Sequence, residues 1–140
     1  MRFWDSSAIV PLLVPERMSP SLQRLYTVDP VVFAWWAADV ECASAIVRRQ
    51  RAGALAAVVV EGAFTRLNAL CASWHEVEPS EDVRELAKRL LRVHDLRAAD
   101  ALPLAAALFA AETRPSTLEF VCLDDRLLEA ARREGFAVSP

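Results

Sequence analysis

The chain has 140 residues, 54% of them hydrophobic, and a formal net charge of -3. This length suits one domain, spanning residues 1–140, that buries a sizeable core without disulfide staples. Cys42, Cys71 and Cys122 are odd in number and show no C-x-x-C spacing, which argues against a disulfide framework or a zinc site. No apolar run reaches the roughly 18 residues that cross a membrane, and the start does not resemble a signal peptide. We therefore expect a cytoplasmic protein with reduced thiols.

The acidic balance, with a pI of about 5.4, is unusual for a nucleic-acid enzyme, which commonly carries a basic surface. The objection weakens if several carboxylates bind divalent cations, because the ions add positive charge to the site. Lys88 is the only lysine, so that nearly all basic residues are arginines. The planar fork of arginine suits phosphate recognition, although a GC-rich genome would give the same bias.

Short apolar runs alternate with longer helical patterns, which indicates an α/β fold with a largely parallel sheet. The expected strands cover Arg2–Trp4, Val31–Ala34, Glu76–Val77, Glu119–Leu123 and Phe136–Val138. The expected helices cover Ser6–Leu13, Pro20–Tyr26 with Ser19 as N-cap, Ala37–Arg51, Leu55–Ser73, a segment from Ser80 to Val93, Ala98–Ala111, and Arg126–Glu134 closed by Gly135. Pro103 is compatible with its helix only if it lies in the first turn.

Four acidic residues occupy positions where strands end or helices begin. Asp5 and Asp124 directly follow expected strands, Glu41 lies in the first turns of a helix, and Asp100 lies near the start of an apolar helix. In a parallel sheet the carboxyl ends of the strands and the starts of the following helices share one edge, where ligands bind. We therefore expect these four side chains to converge.

Each of the four acids also has a structural explanation. Asp5 and Asp124 suit helix caps, Glu41 suits the positive end of a helix, and Asp100 could be satisfied by Arg97 or a backbone amide. Gathered together, however, two carboxylates about 5 Å apart would repel by about 3 kcal/mol at an effective dielectric of about 20. Mg²⁺, which prefers oxygen ligands, would relieve this repulsion. Two ions, or one ion with a carboxylate base, would support in-line cleavage of a phosphodiester.

Other catalytic patterns are missing from the sequence. There is no phosphate-cradling glycine loop, and Ser6 and Ser7 have no local histidine partner. His75 and His94 stand outside metal-binding spacing, and we expect both at the surface or partly buried. Three tryptophans suit either base stacking or, more often, core packing: Trp4, Trp35 and Trp36.

At the acidic positions the sequence resembles the PIN-domain family and, within it, the VapC-type toxins of VapBC toxin–antitoxin systems. The resemblance spans nearly the whole chain, in order. Its segments are DSSAIVPLL (5–13), VECASAIVRR (40–49), LRAADALPLAAAL (96–108), the most specific of the four, and FVCLDDRLLEAARREGF (120–136).

This resemblance implies a three-layer sandwich with a central parallel sheet of about five strands. It implies an endoribonuclease whose Mg²⁺ or Mn²⁺ is bound by the catalytic carboxylates of Asp5, Glu41, Asp100 and Asp124, with Ser7 assisting. It further implies an RNA substrate, a VapB-like antitoxin and a homodimer. The sequence departs from the family pattern at Trp4, at Pro103 and at the doubled acid, where Asp125 is an alternative to Asp124.

Two rival functions remain at this stage. One is an inactive PIN-like domain that only binds a partner, which the four intact acids disfavour. The other is a phosphatase with Asp5 as nucleophile, weakened because Lys88 is the only lysine available for phosphate. For any protein partner, the mean hydropathy of +0.21 leads us to expect an apolar docking surface on the early helices, Ser6–Leu13, Pro20–Tyr26 and Leu55–Ser73.

Overall fold

A computed structural model describes residues 1–140 and contains five strands and seven helices. The strands are β1 (Arg2–Trp4), β2 (Val32–Trp35), β3 (His75–Val77), β4 (Glu119–Val121) and β5 (Ala137–Ser139). The helices are α1 (Ser6–Leu13), α2 (Ser19–Val28), α3 (Ala38–Arg51), α4 (Ala57–Cys71), α5 (Glu81–Val93), α6 (Ala98–Ala110) and α7 (Asp125–Arg133).

The five strands form one parallel sheet in the order β3-β2-β1-β4-β5. Strand β1 lies at the centre, where Phe3 is in register with Phe33 of β2 and Phe120 of β4. Because all strands run the same way, their carboxyl ends meet along one edge. The residue that follows β1 is therefore flanked by the ends of β2 and β4.

Each face of the sheet is covered by its own apolar layer. Successive strand residues point to opposite faces, so that Phe3 packs in one layer and Trp4 in the other. Helices α5, α6 and α7 cover the Phe3 face, and helices α1 to α4 cover the Trp4 face. The expected three-layer α/β sandwich is thus confirmed.

The observed element boundaries lie within two residues of those expected from the sequence, but two local predictions were wrong. Ser19 is not the N-cap of α2, which is Met18; the Ser19 hydroxyl instead accepts from the Glu16 amide and donates to the Val14 carbonyl, closing the preceding turn. Pro103 is the sixth residue of α6 and lies beyond its first turn. Its ring is buried in the core, and this apolar contact offsets the lost backbone hydrogen bond.

Surface predictions also need correction. Trp4 and Trp35 are buried as expected from packing, but Trp36 is 50% exposed because it lies past the end of β2. Helix α1 buries most of its apolar residues, whereas α2 buries only Leu22, and several apolar side chains of α2 and α4 stay partly exposed. The expected apolar docking surface on these helices therefore stays a prediction. None of the helices combines the length and the apolar character needed to cross a membrane.

The ends of α5 and α7 are joined by a small polar cluster. Glu134, which follows α7, accepts hydrogen bonds from Arg89 of α5 at 2.6 and 3.2 Å and contacts Nε2 of His94 at 2.6 Å. Burial raises the pKa of Glu134, but the bonds from Arg89 and His94 outweigh it, so that the net pKa is lowered. The nearby chain reversal favours Gly135, because its φ of +98° is strained for other residues and an added Cβ would lie only 3.2 Å from the Pro115 ring.

We predict that Glu134→Gln lowers the free energy of unfolding at neutral pH by about 1–3 kcal/mol, because hydrogen bonds to a charged group are lost. The pKa of Glu134 is lower in the folded protein than its unfolded value of 4.5, so that the ionised carboxylate stabilises the fold above pH 4.5. This stabilisation is lost as the pH falls through the folded-state pKa. The difference between wild type and variant should therefore shrink below pH 4.5. Denaturant unfolding over a pH series measures it.

Glu129→Gln is the matched control for this prediction. Glu129 lies on α7 and pairs with Arg133, but its side chain is 53% exposed, so that its loss should change stability little. A difference between wild type and Glu134→Gln that stays constant into the acid range would contradict the assigned role.

Candidate active site

Asp5 follows the central strand and caps the first helix. Its amide donates to the Val121 carbonyl at 2.9 Å, which fixes the residue against the end of β4. Its carboxylate accepts from the Ser7 amide at 3.0 Å and from the Ser7 hydroxyl at 2.5 Å. The residue is only 7% exposed, and burial raises the pKa of Asp5 although the bonds from Ser7 oppose the change. Capping and burial thus place a carboxylate, costly to ionise, at the centre of the sheet edge.

Ser7 connects this carboxylate to the other strand. Its hydroxyl donates to Asp5 and accepts from the Leu123 amide at 2.9 Å, so that α1 and the end of β4 are linked through one oxygen. That Ser7 assists catalysis stays a prediction, and its hydroxyl is in contact with the Asp5 carboxylate. The Cys122 thiol lies 3.6 Å from Oδ2 of Asp5 and is a further donor, which sequence reasoning missed.

Glu41 is the fourth residue of α3 and is half-buried. Burial raises the pKa of Glu41, a hydrogen bond with Ser6 opposes the shift, and the negative charges of Asp5 and Asp100 raise it further. Two of the other predicted acids are therefore close enough to act on Glu41. Glu41 thus lies where the charges of Asp5 and Asp100 both act, at the carboxyl edge of the sheet.

Asp100 is the third residue of α6 and accepts from the Arg97 amide at 3.3 Å. Its carboxylate forms no ion pair with the Arg97 side chain. Helix α6 packs against β2 and β3, and its first turn brings Asp100 towards Glu41. A single weak backbone contact leaves most of the bonding capacity of this carboxylate free.

Asp124 and Asp125 are both exposed at the start of α7. Asp124 is the N-cap and accepts from the Leu127 amide at 2.9 Å, while Asp125 is the first residue of the helix. Neither directly follows β4, which ends at Val121, so that expectation was wrong. The Asp124 amide contacts Sγ of Cys122 at 3.2 Å, which joins this turn to the surroundings of Asp5.

The side chains at this edge offer oxygen donors to a metal ion, but they are not arranged as a finished ligand set. No three His, Cys, Asp or Glu side chains converge closely enough to form a ready-made ligand cluster. The chemistry of the donors nevertheless fits a hard cation, because carboxylates crowd the edge and Glu41 experiences the charges of its neighbours. Burial raises the pKa of the Cys42 and Cys122 thiols, which stay protonated and disfavour a soft metal. The residues therefore fit Mg²⁺ or Mn²⁺ better than Zn²⁺.

Comparison with known proteins gives the fold of the chain. No protein-family model matches it, and no curated protein is similar in sequence. PAE2754 from Pyrobaculum aerophilum is 20% identical with a TM-score of 0.66, covering 98% of this chain and 87% of that one. FitAcB from Neisseria gonorrhoeae is 17% identical with a TM-score of 0.66, covering 100% of this chain and 97% of that one. The chain therefore shares its overall fold, a five-stranded parallel sheet covered by helices, with these two solved structures.

We predict that Ser7→Ala destabilises the protein by about 1–3 kcal/mol in EDTA, because it leaves the Leu123 amide without a partner and removes a donor from Asp5. The pKa of Asp5 should rise further, since the Ser7 bonds lower it. Ser44→Ala, on the exposed side of α3, is the control. Equal unfolding free energies for the two variants would show that the Ser7 hydroxyl does not hold the site together.

Proposed function

We propose that this protein is a Mg²⁺- or Mn²⁺-dependent endoribonuclease and the toxin of a VapBC-type toxin–antitoxin pair. The observation that carries the proposal is the shared environment of Asp5, Glu41 and Asp100 at the carboxyl edge of a parallel sheet. The PIN-like architecture and the four family-like segments support it. Asp124 would complete the set from the start of α7.

The buried carboxylate of Asp5 and the half-buried carboxylate of Glu41 are costly to keep ionised without a cation. Asp5, Glu41, Asp100 and Asp124 would hold the ion, which when bound supplies positive charge to attract a phosphodiester and favours ionisation of a water. Asp5 is fixed by Ser7 and so defines the position of the site. Its burial excludes solvent from one side of the reacting phosphate.

Glu41 is the better placed of the two candidate general bases, Glu41 and Asp100. Its carboxylate is half-exposed and remains accessible to water. Taking a proton from a water that attacks phosphorus in line with the 3′ oxygen would give a 5′-phosphate and a 3′-hydroxyl. Ser6, which bonds to Glu41, would orient this carboxylate.

A VapB-like antitoxin and a homodimer are part of the same proposal, as is a cytoplasmic location. Apolar side chains beside the carboxylates are suited to a protein partner: Trp36 is 50% exposed and Val40, next to Glu41, is 66% exposed. An antitoxin docking on them would cover the substrate site.

The inactive partner-binding domain remains the second candidate, because three of the acids already act as helix-end acceptors. Asp5 bonds to Ser7, Asp100 to Arg97 and Asp124 to Leu127. A phosphatase is disfavoured by the position of Lys88, which pairs with Glu85 on the exposed face of α5. Any metal-dependent cleavage of RNA would exclude the inactive domain.

We predict that the purified protein cleaves structured RNA with Mg²⁺ or Mn²⁺ and not with EDTA. Glu41→Gln should reduce the rate by a factor of roughly 10²–10⁴, the usual contribution of a general base. Glu61→Gln, an exposed residue of α4, removes the same charge elsewhere and should leave the rate unchanged. Gel analysis of cleavage products over time measures these rates, and equal cleavage in EDTA would contradict metal dependence.

We predict that Asp100→Asn is at least as stable as wild type in EDTA, because it relieves repulsion from the other carboxylates and keeps the packing of α6. It should nevertheless lose cleavage activity and most of the stabilisation by Mg²⁺. Asp82→Asn, in the first turn of α5, is the control and should retain both. Melting curves with EDTA and with excess Mg²⁺ measure the effects. A large loss of stability in EDTA with an intact Mg²⁺ response would show that Asp100 is structural.

A further inference from the structure

A groove lies between α1 and α3, beside the candidate active site. Its volume is about 740 Å³ and its lining includes Ser7, Glu41, Ser44, Arg48, Arg49 and Glu16. We call it the α1–α3 groove. Ser7 and Glu41 belong to the site described above, so that the groove opens directly from the carboxylates.

The two arginines in this groove differ in their partners. Arg49 forms an ion pair with Glu16 across the groove, and Glu16 has no other cation. Arg48 is exposed and has neither a carboxylate partner nor a side-chain hydrogen bond. Arg48 is therefore the one cation lining the groove that has no carboxylate partner.

The position of Arg48 follows from helix geometry. Residues 41, 44, 45 and 48 lie on one face of α3, because three or four residues make one turn. With a rise of about 1.5 Å per residue, Arg48 lies about 10 Å along the helix from Glu41. The Arg48 guanidinium thus lies at the end of the α1–α3 groove that is distant from Glu41.

We propose that Arg48 binds a backbone phosphate of the substrate strand, close to the phosphodiester held at the carboxylates, and that the α1–α3 groove holds the single-stranded RNA between them. The inference rests on the proposed nuclease function and names the path of its substrate. A guanidinium can donate two parallel hydrogen bonds to one phosphate, and an exposed arginine with no partner pays no cost of breaking an ion pair.

This arrangement also accounts for how an acidic protein binds a polyanion. The metal-binding carboxylates repel RNA until a cation is present, and Arg48 attracts the strand independently of the cation. The charge of Arg49 is balanced by its ion pair with Glu16, so that Arg49 lines the groove without adding net charge. Binding should therefore depend on one arginine and not on a general basic surface.

The test compares Arg48→Gln with Arg51→Gln. Arg51 is an exposed residue at the end of the same helix that does not line the groove, so that both variants remove the same charge from α3. The affinity for a short fluorescein-labelled single-stranded RNA is measured by anisotropy in Ca²⁺ over a range of salt concentrations. Cleavage of the same RNA in Mg²⁺ is measured in parallel.

We expect Arg48→Gln to weaken RNA binding roughly tenfold, the effect of losing one charged hydrogen-bonding contact. The slope of log affinity against log salt should fall in magnitude by about 0.7, the value for one contact with a single strand. Arg51→Gln should stay within about twofold of wild type, because exposed charges outside the contact act weakly.

Equal losses in the two variants would overturn the proposal, since they would reflect the net charge of the protein. Unchanged RNA binding by Arg48→Gln would overturn it too, and if the wild type still cleaves RNA the nuclease function stands. Loss of RNA binding only in Arg48→Gln, with no cleavage by the wild type, would support the groove and refute the nuclease. If Arg48→Gln instead weakens binding of a labelled polyglutamate peptide and not of RNA, the groove binds an acidic protein and the RNA proposal is wrong.

Discussion

The carboxylate of Asp5 is buried where the central strand β1 ends, and the surroundings of the site are arranged to tolerate that burial. Removing a carboxylate from water is costly unless hydrogen bonds or a cation compensate. Two bonds from Ser7 and one from the Cys122 thiol supply part of the compensation, yet the pKa of Asp5 remains raised. A divalent cation would compensate the rest of the cost of burying the ionised Asp5 carboxylate.

The order of strands in the parallel sheet determines which other acidic residues lie near Asp5. Because β1 has β2 on one side and β4 on the other, the segments after all three strands meet around Asp5. Helix α3 follows β2 and brings Glu41, α6 packs on β2 and β3 and brings Asp100, and α7 follows β4 with Asp124 as its cap. The order of the parallel strands thus places acids from distant parts of the chain along one edge. A hydrogen bond between Ser7 and Leu123, which are 116 residues apart, also links two of these segments.

The alternation of short apolar runs with helical stripes was sufficient to predict the α/β fold and each element, because those signals are local. The placement of Asp5, Glu41 and Asp100 near one edge was also predictable, since strand ends in a parallel sheet share that edge, but their side chains do not converge into a ready-made ligand cluster as we expected. Other features depend on distant contacts. The Ser19 hydroxyl accepts from the earlier Glu16 amide and donates to the Val14 carbonyl, which the capping pattern did not indicate. The exposure of Trp36 depends on where β2 ends, and Cys122 meets Asp5 only in the folded chain. No pattern along the sequence separates Arg48 from Arg49, whose difference arises from Glu16 across the groove.

The most direct test of the account is the anomalous scattering of Mn²⁺ in crystals of the protein grown or soaked with that ion. The account predicts an anomalous peak at the carboxyl edge of the sheet, with oxygens of Asp5 and at least one of Glu41 and Asp100 at about 2.0–2.2 Å, as expected for a small hard cation. The ion would then offset both the burial and the neighbouring negative charges that raise the pKa of Glu41. An ordered edge with no peak in crystals that bind Mn²⁺ elsewhere, or that bind none at high concentration, would contradict the account.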